Sequence, residues 1–360
     1  MVPHFFKVKK VSKNNSGIII IIVMWVLVIL TTLAMSLGRN TTVNLSLTKH
    51  QIAKTKADYF AWAGVLYAIE QIRLDSQEEA SRGSDTLYYC GRRRQPAILL
   101  EDLFKKHVFE DGHFDVQYSS PDGNQDYYGF QDEERRFNIN GLTLDNVHML
   151  SSLIVLLGFE EKVAETIAYS MIDWEDQDTI SSHPSYGAED DYYLALSRPY
   201  HCKNMPFDSL EETLLVRGMT KEVFTKLKDY ITIFPKQGQF LINIDTAPAL
   251  ILEAFTRSLA GPVTNTQVAD ADSLVNKMLE YRRGEDRKEL TPDDRVLELN
   301  DLSLNAKEQA LFLTLNQYRT KQSNYFRIQV KGVEDLRGVE ARCEAIVDRN
   351  NLSIVQWHRN

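Results

Sequence analysis

Acidic side chains crowd one short segment in the middle of the chain, DWEDQDTISSHPSYGAEDDYY, which begins at Asp173. The segment has two acidic groups, separated by a loop that contains Ser, Pro and Gly. Its candidate metal ligands are Asp173, Asp176, Asp178, Glu189, Asp190 and Asp191. Carboxylates this close repel one another unless they are solvated, protonated or held by a cation. Because Ca²⁺ binds about six to eight oxygen ligands, the segment predicts a calcium site.

Other interpretations of this segment stay open. The spacing of its acids differs from that of an EF-hand loop, so a solvated acidic loop is the alternative, with Asp178 or Asp190 capping a helix. Mg²⁺ would use fewer protein ligands and more waters. Metals that prefer thiolates would need a cluster of Cys and His that this segment lacks.

Catalysis has little support in the same region. His183 and His201 flank the acidic residues, but the sequence supplies no nucleophile elbow and no zinc triad beside them. His183 precedes Pro184, which is typical of a turn, and His201 is typical of a solvated loop. We therefore expect that the protein is not an enzyme.

Length, composition and charge exclude several classes of protein and of binding partner. The 360 residues suit two or three domains, and a composition of 43% hydrophobic and 25% charged residues excludes collagen-like, low-complexity and wholly disordered chains. A formal net charge of −9 indicates that the chain as a whole does not bind polyanions. A hairpin-like turn at residues 216–220 is followed by lysines mixed with acids rather than by a basic stripe, so we expect no binding of nucleic acid.

The first forty residues contain the apolar segment that must anchor the chain. Residues 18–37 carry no charge, and a helix of this length spans about 30 Å, the thickness of a bilayer core. The basic residues Lys7, Lys9, Lys10 and Lys13 precede it, so the N-terminus is expected in the cytoplasm and the rest of the chain in the periplasm. A cleaved secretory signal peptide, ending near Ala34, and an ordinary uncleaved anchor are the alternatives.

Downstream, the pattern of apolar residues predicts an α+β fold. The helix should continue to about Arg73, with an apolar stripe at Leu45, Ile52, Tyr59, Leu66 and Ile69. Strand-like alternation occurs at residues 114–118 and 136–139 and returns at residues 325–330, 339–345 and 352–357. The region between these two groups of strands has a helical pattern.

Strands on both sides of a helical region predict one α+β domain with an antiparallel sheet, interrupted by a large all-α insertion. Two separate domains in series are the alternative. We expect the following boundaries: a leader at 1–17, a transmembrane helix at 18–37, an amphipathic helix and the first part of the α+β domain at 38–140, an inserted helical domain at 141–320 and closing strands at 321–360.

The sequence contains three cysteines, Cys90, Cys202 and Cys343. Cys343 shares a strand face with Ala341 and Ala345, which predicts a buried free thiol. Cys90 and Cys202 lie in loop-like sequence and could form a disulfide in an oxidising periplasm. The sequence leaves both states of this pair open.

The N-terminal residues resemble the class III leader of type IV pilins and of the pseudopilins of type II secretion. Gly17 ends the basic leader and Ile18 begins the apolar segment, so the resemblance implies cleavage between these two residues by a prepilin peptidase. Most members carry a glutamate five residues after the cleavage site, whereas this chain has Ile22. The K subunit of the general secretion pathway is the pseudopilin that lacks this glutamate.

The acidic segment resembles the central signature of that same family, protein K of the general secretion pathway. It reads Asp-Trp-x-Asp-x-Asp from Asp173, followed by Gly-Ala-Glu-x-x-Tyr-Tyr from Gly187. Similar pieces follow in order, at Asn204-x-Pro206, at residues 216–220 and at residues 242–247.

This resemblance implies a minor pseudopilin with a pilin-like fold that is interrupted by a helical domain. It further implies a bound Ca²⁺ with ligands among Asp173, Asp176, Asp178 and Glu189, while Asp190 and Asp191 lie outside the strict motif. The protein would act by assembly in the inner membrane, joining the I and J minor pseudopilins to initiate and cap the filament during export of folded proteins. A minor pilin of a type IV pilus or competence system, and a membrane-anchored periplasmic binding protein, are the alternatives.

Overall fold

The computed structural model describes residues 16–78, 83–93, 98–119, 125–261 and 264–359. Residues 1–15 of the predicted leader therefore lie outside the described part of the chain. The chain divides into two compact units, Met1–Lys56 and Ala57–Asn360, and each is described by itself.

One long helix, α1 (Ser16–Gln77), begins the described chain. Among the described residues it is the one helix long and apolar enough to cross a membrane, and its most apolar stretch is exposed along its whole length. The hydroxyls of Thr31 and Thr32 donate to the carbonyl oxygens of Leu27 and Val28, at 2.9 and 3.0 Å. Because lipid offers no hydrogen-bond partner, these internal bonds suit a helix surrounded by hydrocarbon.

The described residues contain eight further α-helices and nine strands. The helices are α2 (Leu100–Phe104), α3 (Val147–Leu156), α4 (Glu161–Glu175), α5 (Asp190–Leu194), α6 (Lys221–Leu227), α7 (Ala249–Leu259), α8 (Val268–Arg282) and α9 (Ala306–Leu315). The strands are β1 (His107–Phe109), β2 (Gly112–Ser119), β3 (Asp126–Tyr128), β4 (Gln131–Asp132), β5 (Phe137–Asn138), β6 (Ile231–Thr232), β7 (Tyr325–Glu334), β8 (Val339–Asp348) and β9 (Ser353–Arg359).

Strands from both ends of the second unit combine in one antiparallel sheet of order β1-β2-β7-β8-β9. Strand β3 pairs with β2, and β4 pairs with β7. The helical region α3–α9 lies between β4 and β7 in the chain, so it is inserted into the sheet domain. The predicted strand at residues 136–139 is the short β5, which pairs in parallel with β6 of the insertion rather than with the sheet.

The outer part of α1 packs on the sheet through small residues. Ala57, Ala61, Val65 and Ala68 are almost completely buried, at spacings of three and four residues that place them on one helix face. A Cβ atom on Gly64 would collide with Val330, so the helix and sheet approach closely there.

The apolar stripe predicted from the sequence is not the face that packs on the sheet, apart from Ile69. Tyr59 and Leu66 are 69% and 48% exposed, while Ile69 is partly buried against the sheet core. The alanine-rich face is buried because small side chains let the helix backbone approach the sheet. The large residues Tyr59, Trp62 and Leu66 form an exposed set on α1, which we call the exposed α1 stripe.

The insertion has an apolar core of its own, with Leu150, Leu153, Ile167 and Phe255 among its fully buried side chains. It is joined to the sheet domain by buried polar contacts. The hydroxyl of Thr246, in the insertion, and that of Ser323, before β7, both donate to Asp132 Oδ2 at 2.8 Å. These bonds hold the insertion against the end of β4.

A second buried network closes the sheet domain around Arg349. Its Nη2 atom lies 3.0 Å from Asp75 Oδ2 and 2.7 Å from Asp85 Oδ1. Asp85 also accepts the backbone N–H of Ser323 at 2.7 Å. The network thus connects the end of α1, the loop after it and the segment after β8.

The disulfide between Cys90 and Cys202 is not formed, and the described cysteines are all free. The reason is their burial in different cores, Cys90 in that of the sheet domain and Cys202 in that of the insertion. Cys202 Sγ donates instead to the carbonyl oxygen of Asp173 at 3.2 Å, and Cys90 Sγ lies 3.6 Å from Asp132. Cys343 is a buried free thiol, as the strand pattern predicts.

Candidate metal site

The acidic segment is positioned by the packing of α4 against α5. Trp174, in the last turn of α4, is buried and meets the ring of Tyr193 from α5 edge-on, with 5.2 Å between ring centroids. Its indole N–H donates to Glu212 at 2.9 Å. Because Trp174 and Tyr193 belong to the two ends of the segment, their contact brings the two acidic groups together.

Asp173 closes the loop between these groups. It is fully buried, and its Oδ1 accepts the backbone N–H of Ser182 at 2.7 Å. Its Oδ2 accepts the N–H of Ala188 at 2.6 Å and the hydroxyl of Ser181 at 3.2 Å. Hydrogen bonds from backbone amides compensate for the burial of the carboxylate, so Asp173 is first a loop-closing residue.

Gly187 lies against this carboxylate, and a Cβ atom there would collide with Asp173 Oδ2 and Ser181 Oγ. We expect Gly187→Ala to lower the free energy of unfolding by about 1–3 kcal/mol, the usual cost of overpacking. Urea unfolding measures the change. Gly261→Ala is the control, because no atom of the described residues lies within 4 Å of a Cβ built there. If the two variants had the same free energy of unfolding, the close contact between Gly187 and the Asp173 carboxylate would be contradicted.

Three of the predicted ligands converge on one point. Asp173, Asp176 and Glu189 each offer an oxygen, and these oxygens lie within 4.8 Å of one another. Both carboxylate oxygens of Glu189 and the Oδ1 of Asp176 are buried, and none accepts a hydrogen bond from any residue that the structure describes. Unsatisfied buried carboxylate oxygens are costly, so a bound cation would stabilise this cluster.

Two residues that we did not predict belong to the same neighbourhood. Glu175 Oε2 and Asn204 Oδ1 are also buried, without a hydrogen-bond donor in the described part of the chain. Asn204 has a left-handed backbone with φ of 53°, and its N–H donates to the carbonyl oxygen of Trp174 at 2.9 Å. In the sequence, Asn204 belongs to the Asn-x-Pro motif, which indicates the family but does not identify Asn204 as a ligand.

Burial and mutual repulsion shift the proton affinities of these acids. Burial, together with repulsion from neighbouring carboxylates, raises the pKa of Glu189 to about 7 and that of Asp176 to about 6. The pKa of Glu175 rises to about 8 for the same reasons, with Asp176 as the neighbouring acid. Without a cation, part of the cluster therefore stays protonated at neutral pH.

The other three predicted ligands point elsewhere. Asp178 Oδ1 accepts the N–H of Ile180 at 2.6 Å, which forms a turn after α4. Asp190 accepts from His201 Nδ1 at 2.9 Å and from the N–H of Cys202 at 2.7 Å, and the His201 bond lowers the pKa of Asp190. Asp191 is exposed in the first turn of α5.

The donor set of the cluster fits a hard cation. Its unsatisfied atoms are oxygens of Asp176 and Glu189, and the unsatisfied atoms of Glu175 and Asn204 are oxygens as well. Carboxylate and amide oxygens suit Ca²⁺, whereas zinc and copper favour the nitrogen and sulfur ligands that are missing from this described cluster.

Comparison with known proteins links this segment to a family. The family model "Type II secretion system (T2SS), protein K" matches residues 135–236, which include the whole acidic segment. Type II secretion system protein K of Aeromonas hydrophila is 34% identical over 100 residues, which cover 28% of this chain and 30% of that protein. Its counterpart in Pectobacterium carotovorum subsp. carotovorum is 31% identical over 137 residues, covering 35% and 41%. The matched parts thus span less than half of either relative.

Among solved structures, a chain of the GspK-GspI-GspJ complex from the enterotoxigenic Escherichia coli type 2 secretion system has the same fold. The TM-score is 0.60 at 19% sequence identity, and the match covers 87% of this chain and 99% of that chain. The comparisons confirm the resemblance stated from the sequence and the predicted α+β, pilin-like fold with a helical insertion.

Proposed function

We propose that this chain, whose residues 135–236 match the protein K family of type II secretion, is a K-type minor pseudopilin. The observation that carries the proposal is the position of this family segment inside an insertion of a domain built on a long, membrane-compatible helix. A protein of this kind acts by assembly and not by catalysis. The proposed role is to initiate and cap the pseudopilus tip during export of folded proteins.

The membrane placement follows from α1 and the residues before it. The exposed apolar stretch of α1 would lie in the inner membrane as a single span, with the lysine-rich N-terminus in the cytoplasm. The unit that begins at Ala57 would then lie in the periplasm. Prepilin peptidase would cleave between Gly17 and Ile18 and leave α1 almost intact.

The partners would be the I and J minor pseudopilins of the same secretion system. The exposed α1 stripe supports this assembly, because Tyr59, Trp62 and Leu66 leave large apolar surface uncovered on the helix. Ile22 supports a tip position. A buried carboxylate needs a cationic partner, and a subunit at the tip has no neighbour above it to provide a terminal amine.

A bound Ca²⁺ belongs to this proposal. Asp176 and Glu189 would hold it through their unsatisfied oxygens, and Asp173 would keep the loop closed around it, with Glu175 and Asn204 adding oxygens nearby. Such an ion supplies positive charge to a site that otherwise retains protons. Its role is structural, since it fixes the loop between α4 and α5.

N-terminal sequencing of the full chain, co-expressed with a prepilin peptidase and purified from membranes, tests the proposed processing. We expect a mature chain that starts at Ile18, because the cleavage site follows Gly17. The same chain produced without the peptidase is the control and should keep Met1. A chain that keeps Met1 in the presence of the peptidase, or that starts at Gly38 or later, would refute the pseudopilin proposal.

A further inference from the structure

A large cleft lies between the sheet and the helical insertion, away from the acidic cluster. It has a volume of about 970 Å³, at the upper end of the usual range for ligand clefts. Alternation along β7 explains the sheet wall of this cleft. Ile328 and Val330 are buried in the sheet core beneath α1, so Arg327, Gln329 and Lys331 face the other way.

This cleft is strongly basic although the whole chain carries a net charge of −9. Nine Arg and Lys side chains line it, against three carboxylates. Two of those carboxylates already have cationic partners, and the third, Asp229, is exposed. Glu289 accepts from Arg282 at 2.9 Å, and Glu344 lies 3.6 Å from Arg327. Behind the lining, Glu133 pairs with Arg136 and Arg327, and Glu340 pairs with Lys331. The exposed cations Arg287, Lys288 and Arg342 are still left without an anion among the described residues.

Four of the cations form no direct contact with an anion in the described part of the chain, although the charge of Arg135 acts on the carboxylates of Asp132 and Glu289. The side chains of Arg135, Arg287, Lys288 and Arg342 form no hydrogen bond or ion pair with any residue in the described ranges. Arg287, Lys288 and Arg342 are exposed, so they are available to a molecule that enters from solvent. Like charges at this density raise the free energy of the cleft and increase the local concentration of anions.

A buried cation in the wall adds a second, independent observation. Arg282 is 2% exposed and donates to the carbonyl oxygen of Ala247 at 2.7 Å, yet its Nε–H has no acceptor among the described residues. Burial lowers the pKa of this guanidinium, the ion pair with Glu289 opposes the shift, and the nearby charge of Arg135 adds to it. A bound anion would offset both penalties.

The side chains of the cleft indicate the class of anion. Seven of the nine cations are arginines, whose planar forks match carboxylates in paired hydrogen bonds. Uncharged groups such as Gln117 and Tyr127 lie among them and can pair with backbone N–H and C=O groups. We propose that this cleft binds an acidic peptide segment of a partner protein. Such binding goes beyond assembly into a filament and does not depend on it.

Fluorescence anisotropy with the full chain in an uncharged detergent tests this binding. The probe is a fluorescein-labelled peptide of alternating Glu and Ser, and its counterpart of alternating Gln and Ser has the same length without the charge. We expect the Glu peptide to bind at least about tenfold more tightly at about 50 mM salt, and the difference to shrink as the salt concentration rises.

Charge-reversal variants locate the site. Arg287→Glu with Arg342→Glu should weaken binding of the Glu peptide by about tenfold or more, since both exposed cations line the cleft. The matched control is Lys162→Glu with Lys221→Glu, which changes the net charge equally at exposed positions outside the cleft and should leave binding nearly unchanged.

Three results would overturn the assignment. The first is equal binding of the two peptides, and the second is an equal loss in the two double variants. The third is tighter binding of inorganic tripolyphosphate than of the Glu peptide, with loss in the cleft variant, which would assign the cleft to phosphate anions instead.

Discussion

Replacing Arg349 by Ala is expected to lower the free energy of unfolding by about 3–5 kcal/mol, the usual cost of leaving a buried charge unpaired. Arg349 is 6% exposed and contacts both Asp75 and Asp85, which are almost completely buried. The substitution would remove the guanidinium that contacts both of these carboxylates. It would also loosen the connection between the end of α1 and the segment after β8.

Chemical unfolding of the full chain in mild detergent, followed by intrinsic fluorescence, measures this loss. The matched control is Arg73→Ala, which breaks an exposed ion pair with Glu70 on the surface of α1. Exposed pairs contribute about 0–1 kcal/mol, so the control should change little. If Arg349→Ala cost no more than Arg73→Ala, the buried network would not stabilise the domain.

Addition of Ca²⁺ is expected to raise the melting temperature, and EGTA should reverse the rise. A ligand at a hundredfold excess over its Kd stabilises the folded state by about 2.7 kcal/mol. Substitutions of two acids that are adjacent in the chain distinguish binding at this site from a general effect of charge. Glu189→Gln should abolish the response, because both oxygens of Glu189 are buried and unsatisfied, whereas Asp190→Asn should keep it, because Asp190 pairs with His201.

The same site predicts a pH dependence with a definite sign. The folded pKa of Asp176 is raised to about 6 and that of Glu189 to about 7, above their ordinary values of 3.8 and 4.5. In EGTA the folded state therefore holds protons that the unfolded state has lost, so stability should fall as the pH rises through this interval. Ca²⁺ binds the ionised carboxylates, so its stabilising effect should be larger at pH 8 than at pH 5.5. If the Ca²⁺-induced rise in melting temperature were equal at both pH values, or unchanged in Glu189→Gln, the proposal that this cluster binds Ca²⁺ would be contradicted.

The sequence was informative wherever function depends on a local pattern. The apolar length of α1, the flanking lysines and the crowding of acids from Asp173 are visible without a fold. The different roles of the acids within this segment are not visible in the sequence. The crowding of acids alone does not distinguish Asp173 from Asp190, but Asp173 closes the loop, while His201 and Cys202 contact Asp190. That difference depends on side chains that meet only after α4 and α5 pack.

Long-range pairing explains the rest of what the sequence did not reveal. Asp85 and Arg349 are 264 residues apart in the chain, and no local pattern indicates their contact. The basic cleft is hidden for the same reason, because a net acidic composition conceals cations that β7, β8 and α8 bring together. The packing face of α1 is also hidden, because an apolar pattern draws attention to large residues, whereas the face against the sheet consists mainly of alanines.

Complex formation with the two partner pseudopilins tests the proposed role most directly. The full chain is co-expressed with the I and J minor pseudopilins of its own secretion system, extracted in mild detergent and purified through a tag on this chain alone. We predict a ternary complex whose mass, by light scattering, equals one copy of each subunit. Leu66→Glu, in the exposed α1 stripe, should weaken that complex without unfolding the chain. Recovery of this chain alone, while the I and J subunits fail to bind it, would contradict its assignment as a minor pseudopilin.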